Sequence, residues 1–306
     1  MTTIGWIGLG AMGAPMSERL AELGHTVVGF DVDPRRVTEA ERHGVVPVTS
    51  VREVAEAAGI LVLMVATGMQ ADAALFGAGG AAAQLSEESV VVVMATVGPA
   101  AVSAWSDRLA TSGIMLVDAP VSGGVERAGR GELLIMASGC EPAMRRVRPI
   151  FDALASRAAV VGPMPGDGQK FKLVNQLLCG VHIAAAAEAL TFAEAMGLDS
   201  RACWELLQSG GATSFMFADR GARMVDAKYT EVHSALDIFV KDMGLVMDTA
   251  RQSGAPAFFA AAAAQLYLMG GRAGLGGLDD SSIVEVYRGG ARLSAAGANV
   301  NPPEPS

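Results

Sequence analysis

The chain has 306 residues and a formal net charge of −9, from 23 Lys and Arg against 32 Asp and Glu. That length is enough for two ordinary domains with sizeable cores, and the acidic balance without a basic run argues against nucleic acid or an anionic membrane surface as partners. Three cysteines with no CxxC spacing and four dispersed histidines give neither a disulfide framework nor a metal site, so no metal is expected and small molecules remain as ligands.

Hydrophobic residues make up 51% of the chain, yet they are spread out. No uninterrupted apolar run reaches the ~18 residues of a membrane-spanning helix. The first residues carry no basic segment followed by an apolar core and cleavage site, which points to a cytoplasmic location.

In chain order, Thr3–Ile7, Thr26–Phe30, Ile60–Val65, Val90–Met94 and Ile114–Val117 read as strands, with amphipathic helical stretches between several of them. Near-continuous Val, Ile and Leu suit parallel strands covered on both faces, so the fold class is α/β with a doubly wound sheet. Leu133–Ser138 and Ala158–Val161 are candidates for further strands at the far edge.

The first strand runs into GWIGLGAMGAPM, residues 5 to 16. Gly8, Gly10 and Gly13, with Leu9, Ala11 and Met12 between them, form GxGxxG between a strand and a helix. In a dinucleotide-binding turn the first glycine permits the bend, the second lets the backbone approach a pyrophosphate, and the third lets the helix pack on the strand. Asp31 ends the second strand, where a carboxylate accepts from both ribose hydroxyls and repels a 2′-phosphate. This favours NAD over NADP, although Arg35 and Arg36 follow closely enough to tolerate the phosphate.

Asp118 to Gly124, DAPVSGG, follows an apolar strand and reads as a turn that offers the Ser122 hydroxyl and the Gly123 and Gly124 amides to a carboxylate. GPMPGDG at 162 to 168 is a natural hinge. Beyond it the strand pattern ends, and Gln169 to Met196 reads as one long helix, Ala-rich and apolar around much of its circumference. Such a helix needs cover on several sides, as the central helix of an all-α domain and against a second subunit. Ala255–Gly271 reads as another buried helix. The expected division is therefore a nucleotide-binding domain over 1–164, an all-helical substrate and oligomerisation domain over 165–296, and a loose tail over 297–306, in a homodimer or homotetramer.

Near the start of the long helix, Lys172, Asn175 and Gln176 share a face at i, i+3 and i+4. A lysine flanked by amides can bond a substrate hydroxyl, and desolvation of an ammonium favours the neutral base that would accept its proton.

Four blocks, IGLGAMGAPMS at 7 to 17, DAPVSGG at 118 to 124, GDGQKFKLVNQ at 166 to 176 and KDMGL at 241 to 245, occur in an order that resembles the β-hydroxyacid dehydrogenases. That family contains 3-hydroxyisobutyrate dehydrogenase and tartronate semialdehyde reductase. The resemblance implies a Rossmann domain, a helical domain and an active site in the cleft between them. It places Lys172 on the catalytic lysine and Ser122, Gly123 and Gly124 on the substrate-carboxylate loop. Thr96 falls on the threonine near the nicotinamide ribose, Lys241 on the lysine that closes over the cofactor, and Met64 and Val65 on the segment beside the dinucleotide. Gln176 replaces the usual second Asn of Lys-x-x-Asn-Asn, and Ala95 precedes Thr96 where Ser is usual. The run KLVNQLLCGVHIAAAAEA, with FVKDMGLVMDTA later, most resembles the branch that oxidises four-carbon sugar acids, whose polyhydroxylated substrates the extra reach of Gln176 suits. The other readings are the same chemistry on a smaller acid, imine reduction, which the presence of Lys172 disfavours, and a dinucleotide-binding module without turnover.

Overall fold

The computed structural model describes residues 3–289, so the tail expected over 297–306 lies outside them. Two compact units follow one another, the first ending at Lys172 and the second starting at Leu173.

The first unit is built on one sheet: β1 (Ile4–Ile7), β2 (Val27–Phe30), β3 (Val46–Pro47), β4 (Ile60–Leu63), β5 (Val90–Val93), β6 (Met115–Asp118), β7 (Val121–Ser122), β8 (Leu133–Ser138) and β9 (Ala155–Gly162). The order is β3-β2-β1-β4-β5-β6-β8-β7, with β9 beside β8. The first six strands are parallel, whereas β8 runs antiparallel to β6 and β7. Its helices are α1 (Gly13–Glu22), α2 (Pro34–Arg42), α3 (Val51–Ala57), α4 (Gly68–Phe76), α5 (Pro99–Ala110), α6 (Gly124–Arg130) and α7 (Glu141–Leu154).

Alternation explains the Val-rich strands. Val90 and Val92 join one core with Trp6, Met16 and Leu20, while Val91 and Val93 join another with Leu61, Leu63 and Trp105. Both faces of β5 are thus covered, as a parallel strand with crossover helices requires. Two short strands escaped the sequence reading. DAPVSGG is not wholly a turn, because Val121 and Ser122 pair with Ile135 and Leu134 of β8. The two-residue β3 is too short to show a period.

The long helix α8 (Asp167–Ala195) runs through the point where the units divide and begins two residues before the expected start. It is followed by α9 (Ser200–Leu207), α10 (Phe215–Asp226), α11 (Leu236–Ser253), α12 (Phe258–Arg272) and α13 (Val284–Arg288). By length and composition α8 is the one described helix that could cross a membrane. Its Ile183, Ala186, Ala187 and Leu190 are instead buried in the helical core with Phe239, Met243 and Tyr267. Gly180 lets α11 approach, since a Cβ there would strike the Met243 sulfur. The Tyr267 hydroxyl donates to the Gly180 carbonyl at 3.2 Å, and its ring stacks on Phe239 at 5.2 Å.

The helix expected as buried over Ala255–Gly271 forms as α12, but only one face is covered. Ala260, Ala263, Ala264 and Tyr267 are buried, whereas Phe258 and Phe259 are 81% and 80% exposed.

Candidate active site

At the C-terminal end of β1 the chain turns into α1 through Gly8, whose φ of +98° is unfavourable for residues with a side chain. A Cβ on Gly8 would strike the Met64 carbonyl, and one on Gly13 the Gly8 carbonyl. Both glycines therefore serve close packing. Gly10 differs: around its Cβ position only Arg36 Nη1 comes near, at 3.5 Å. No side chain caps α1 and no acidic residue lies in its first turn, so the positive end of the helix faces the glycine turn. These features fit a pyrophosphate lying over Gly10.

Asp31 is buried at the end of β2, where its Oδ2 accepts from Leu9 N at 2.8 Å and its Oδ1 from Asp33 N at 2.9 Å. The carboxylate thus ties the glycine turn to the second strand, at the edge where an adenosine ribose would lie. Arg36 Nη1 stands 3.5 Å from Oδ2, and Arg35 pairs with Asp33. Met64 and Val65 follow β4, and Thr96 follows β5. All these residues gather at the C-terminal ends of parallel strands, where open α/β sheets bind ligands.

After β6 the chain reaches Ser122 in β7, then Gly123 and Gly124 with φ of +148° and +80°, where α6 begins at Gly124. Only glycine adopts such a pair readily, which accounts for the GG of the motif. Asp118 at the end of β6 is fully buried. Its Oδ2 accepts from Gly166 N at 3.0 Å, Gln169 N at 2.9 Å and the Ser138 hydroxyl at 3.4 Å, and its Oδ1 from Gln169 Nε2 at 2.8 Å. Burial pushes the carboxyl up to about 6, and the donors from Gln169, Gly166 and Ser138 pull the other way. Asp118 acts as a cap for the first turn of α8 supplied by a distant strand. Lys172, one turn further on, is only 6% exposed.

On the helical side, Asn175 Nδ2 donates to Gln176 Oε1 at 2.9 Å, and Gln176 Nε2 donates to Asp242 Oδ2. Lys241 Nζ forms an ion pair with Asp242 Oδ1 at 2.9 Å. Asp242, 2% exposed, thereby joins two residues expected at the site.

The first unit contains Gly8, Leu9, Gly10, Ala11, Met12, Gly13, Asp31, Met64, Val65, Thr96, Ser122, Gly123, Gly124 and Lys172, of which Leu9 and Asp31 are in direct contact. The second contains Asn175, Gln176 and Lys241, which are linked through the Asn175–Gln176 bond and Asp242. Sequence reading missed Asp118, Gln169 and Asp242 as parts of this machinery. Each is a polar residue in a motif already singled out, but its partners lie up to 74 residues away.

A doubly wound sheet with a glycine cradle, an acidic residue after β2 and a buried lysine on the helix that runs from the first unit into the second defines a class, the nicotinamide-dependent oxidoreductases. Residues 3–162 match the family model of the NAD binding domain of 6-phosphogluconate dehydrogenase. Residues 166–287 match that of the NAD-binding domain of NADP-dependent 3-hydroxyisobutyrate dehydrogenase. The chain is 40% identical to an L-threonate dehydrogenase of Cupriavidus necator over 94% of its own length and 96% of the relative's. It is 33% identical to a 2-hydroxy-3-oxopropionate reductase of Escherichia coli K12, over 81% and 84%. The crystal structure of a 3-hydroxyisobutyrate dehydrogenase from Salmonella typhimurium superposes with a TM-score of 0.87 at 35% identity, covering 94% of this chain and 100% of that one. The chain belongs to the β-hydroxyacid dehydrogenase family and is a dehydrogenase that acts on a hydroxy acid with a nicotinamide dinucleotide.

Proposed function

We propose that the enzyme oxidises a four-carbon sugar acid, L-threonate the foremost candidate, with NAD as cofactor and Lys172 as general acid/base. In this reading residues 1–164 are the NAD-binding domain and residues 165–296 the substrate and oligomerisation domain. The Ser122 hydroxyl and the Gly123 and Gly124 amides receive the substrate carboxylate. Lys172 Nζ bonds the reacting hydroxyl and takes its proton as the carbonyl forms; in reduction it returns that proton. Bound NAD supplies the hydride acceptor. Asn175 and Gln176 orient the polyhydroxylated end, with Asp242 fixing the Gln176 amide, while Lys241 and Thr96 hold the cofactor.

The burial of Lys172 carries this reading, because an ammonium removed from water is rare in a helix unless it binds or reacts with something, and the resemblance sets the catalytic lysine at this position. Support for the sugar acid comes from the L-threonate dehydrogenase relative and the extra methylene of Gln176. Asp31 supports NAD, and Arg36 beside it makes the comparison with NADP worth measuring. Exposed Phe171, Val174 and Phe192 on α8 and Phe258 and Phe259 on α12 support a homo-oligomer.

Lys172→Ala should lower kcat by about 100- to 10,000-fold, the range that general acid–base catalysis supplies, with NADH affinity nearly unchanged. Turnover at the parental rate would remove Lys172 from the chemistry. Initial rates with L-threonate, 3-hydroxyisobutyrate and glycerate, each with NAD and NADP, test the substrate and the cofactor together.

A further inference from the structure

Gln169 is fully buried and uses both ends of its amide on one short stretch of backbone. Its Oε1 accepts from Val97 N at 2.9 Å and Gly98 N at 3.0 Å, and its Nε2 donates to Ala95 O at 3.1 Å. These contacts bracket Thr96 on both sides. The side chain thus takes the place that a neighbouring strand's peptide group would fill at the end of β5. Nε2 also donates to Asp118 Oδ1 at 2.8 Å. With two N–H donors facing one end and two oxygens facing the other, a flipped amide would lose every bond.

The same helical turn is held at three backbone amides, Gly166 and Gln169 by Asp118 and Gly168 by Ser138 at 3.0 Å. A Cβ on Gly168 would strike the Met136 carbonyl, so the helix start sits as close to the sheet as a chain can. Lys172 follows Gln169 by three residues, less than one turn.

We propose that Gln169 is a positioning residue that fixes Lys172 and Thr96 relative to each other, and that Asp118 holds its amide in the one orientation able to do so. This rests on the acid–base role assigned to Lys172. Gln169 joins the helix that carries the lysine to the turn that carries the threonine, so proton transfer and cofactor placement share one buried amide. A shift of about 1 Å at this joint would misplace the base by enough to cost on the order of 100-fold in rate.

The test is a polarity swap. Gln169→Glu sets an oxygen against the Asp118 carboxylate and the Ala95 carbonyl; Asp118→Asn must present an N–H either to Gln169 Nε2 or to the amides of Gly166 and Gln169. When the two substitutions are combined, the amide introduced by Asp118→Asn can donate to the carboxylate introduced by Gln169→Glu while its oxygen still accepts from the helix amides. Each single variant is expected to lose about 100-fold in kcat and to bind NADH several-fold more weakly, and the double variant to regain at least about tenfold in kcat. Gln169→Met, of similar length without polarity, serves if either single variant does not fold, and it is expected to show the same loss. Parental kcat in the Gln169 variants overturns the proposal. So does a double variant that recovers melting temperature but no turnover, which would make the cluster a prop for the fold alone. Lys172→Ala measured in parallel separates the two ideas: an inert Lys172→Ala beside active Gln169 variants sinks this inference only, whereas parental turnover in Lys172→Ala sinks the acid–base reading and this inference with it.

Discussion

Asp118 holds its proton up to about pH 6 because burial outweighs the donors of Gln169, Gly166 and Ser138, which favour the ionised form. A carboxyl whose value is raised in the folded state, from 3.8 here, binds its proton more tightly folded than unfolded. Its contribution to stability is therefore fullest below about pH 4 and is lost as pH rises through about 6, by up to roughly 3 kcal/mol. Asparagine at the same position does not titrate. The melting temperature of the parent minus that of Asp118→Asn should fall between pH 4 and 6.5, and a difference that stays constant would show that the carboxyl does not titrate in that window. At this scale the sequence was informative wherever a residue's neighbours in the chain define its chemistry. Asp31 and Lys172 could be singled out as candidates because a motif surrounds each. Gln169 and Asp242 were not, because each takes its meaning from a partner more than 60 residues away.

Among the elements, the turn from β1 into α1 shows how three glycines of one motif do different work. Gly13→Ala would push a methyl into the Gly8 carbonyl and force α1 off the sheet. It should cost about 1–3 kcal/mol, visible as a drop in melting temperature of several degrees. Gly10→Ala meets no backbone, and the nearest atom is Arg36 Nη1 at 3.5 Å. It should leave the melting temperature of the free enzyme within a degree or two while raising the dissociation constant for NADH at least about tenfold, since its methyl occupies the pyrophosphate's place. Equal effects of the two substitutions on stability would contradict this division. The motif predicts the turn, and only the packed structure separates Gly8 and Gly13, whose Cβ positions are filled by backbone, from Gly10, whose position is not and which is therefore the one proposed to serve the ligand. Short elements were the least legible: β7 exists because β8 offers Ile135 and Leu134 as partners, a fact no local pattern carries.

For the molecule as a whole, apolar surface remains on α8 and α12 after the chain has folded, with Phe192, Phe258 and Phe259 all more than half exposed. Large exposed aromatic side chains on these two helices are what the proposed homo-oligomer would cover. Light scattering on the purified protein should give a mass at least twice the 31.3 kDa of one chain. Phe258→Glu combined with Phe259→Glu should lower that mass or make it concentration-dependent; an unchanged mass would place the interface elsewhere. The sequence by itself determined the class of fold and the kind of ligand, because strand and helix periods, the glycine turn and Asp31 are consequences of local geometry that any chain must obey. Tertiary structure alone decided which faces of the Ala-rich helices are covered, and that the buried carboxylates Asp118 and Asp242 meet the amides of Gln169 and Gln176 and the Lys241 ammonium. Those choices depend on contacts between distant segments, and an uncharged amide such as Gln169 acquires a role only when folding sets its donors and acceptors opposite their complements.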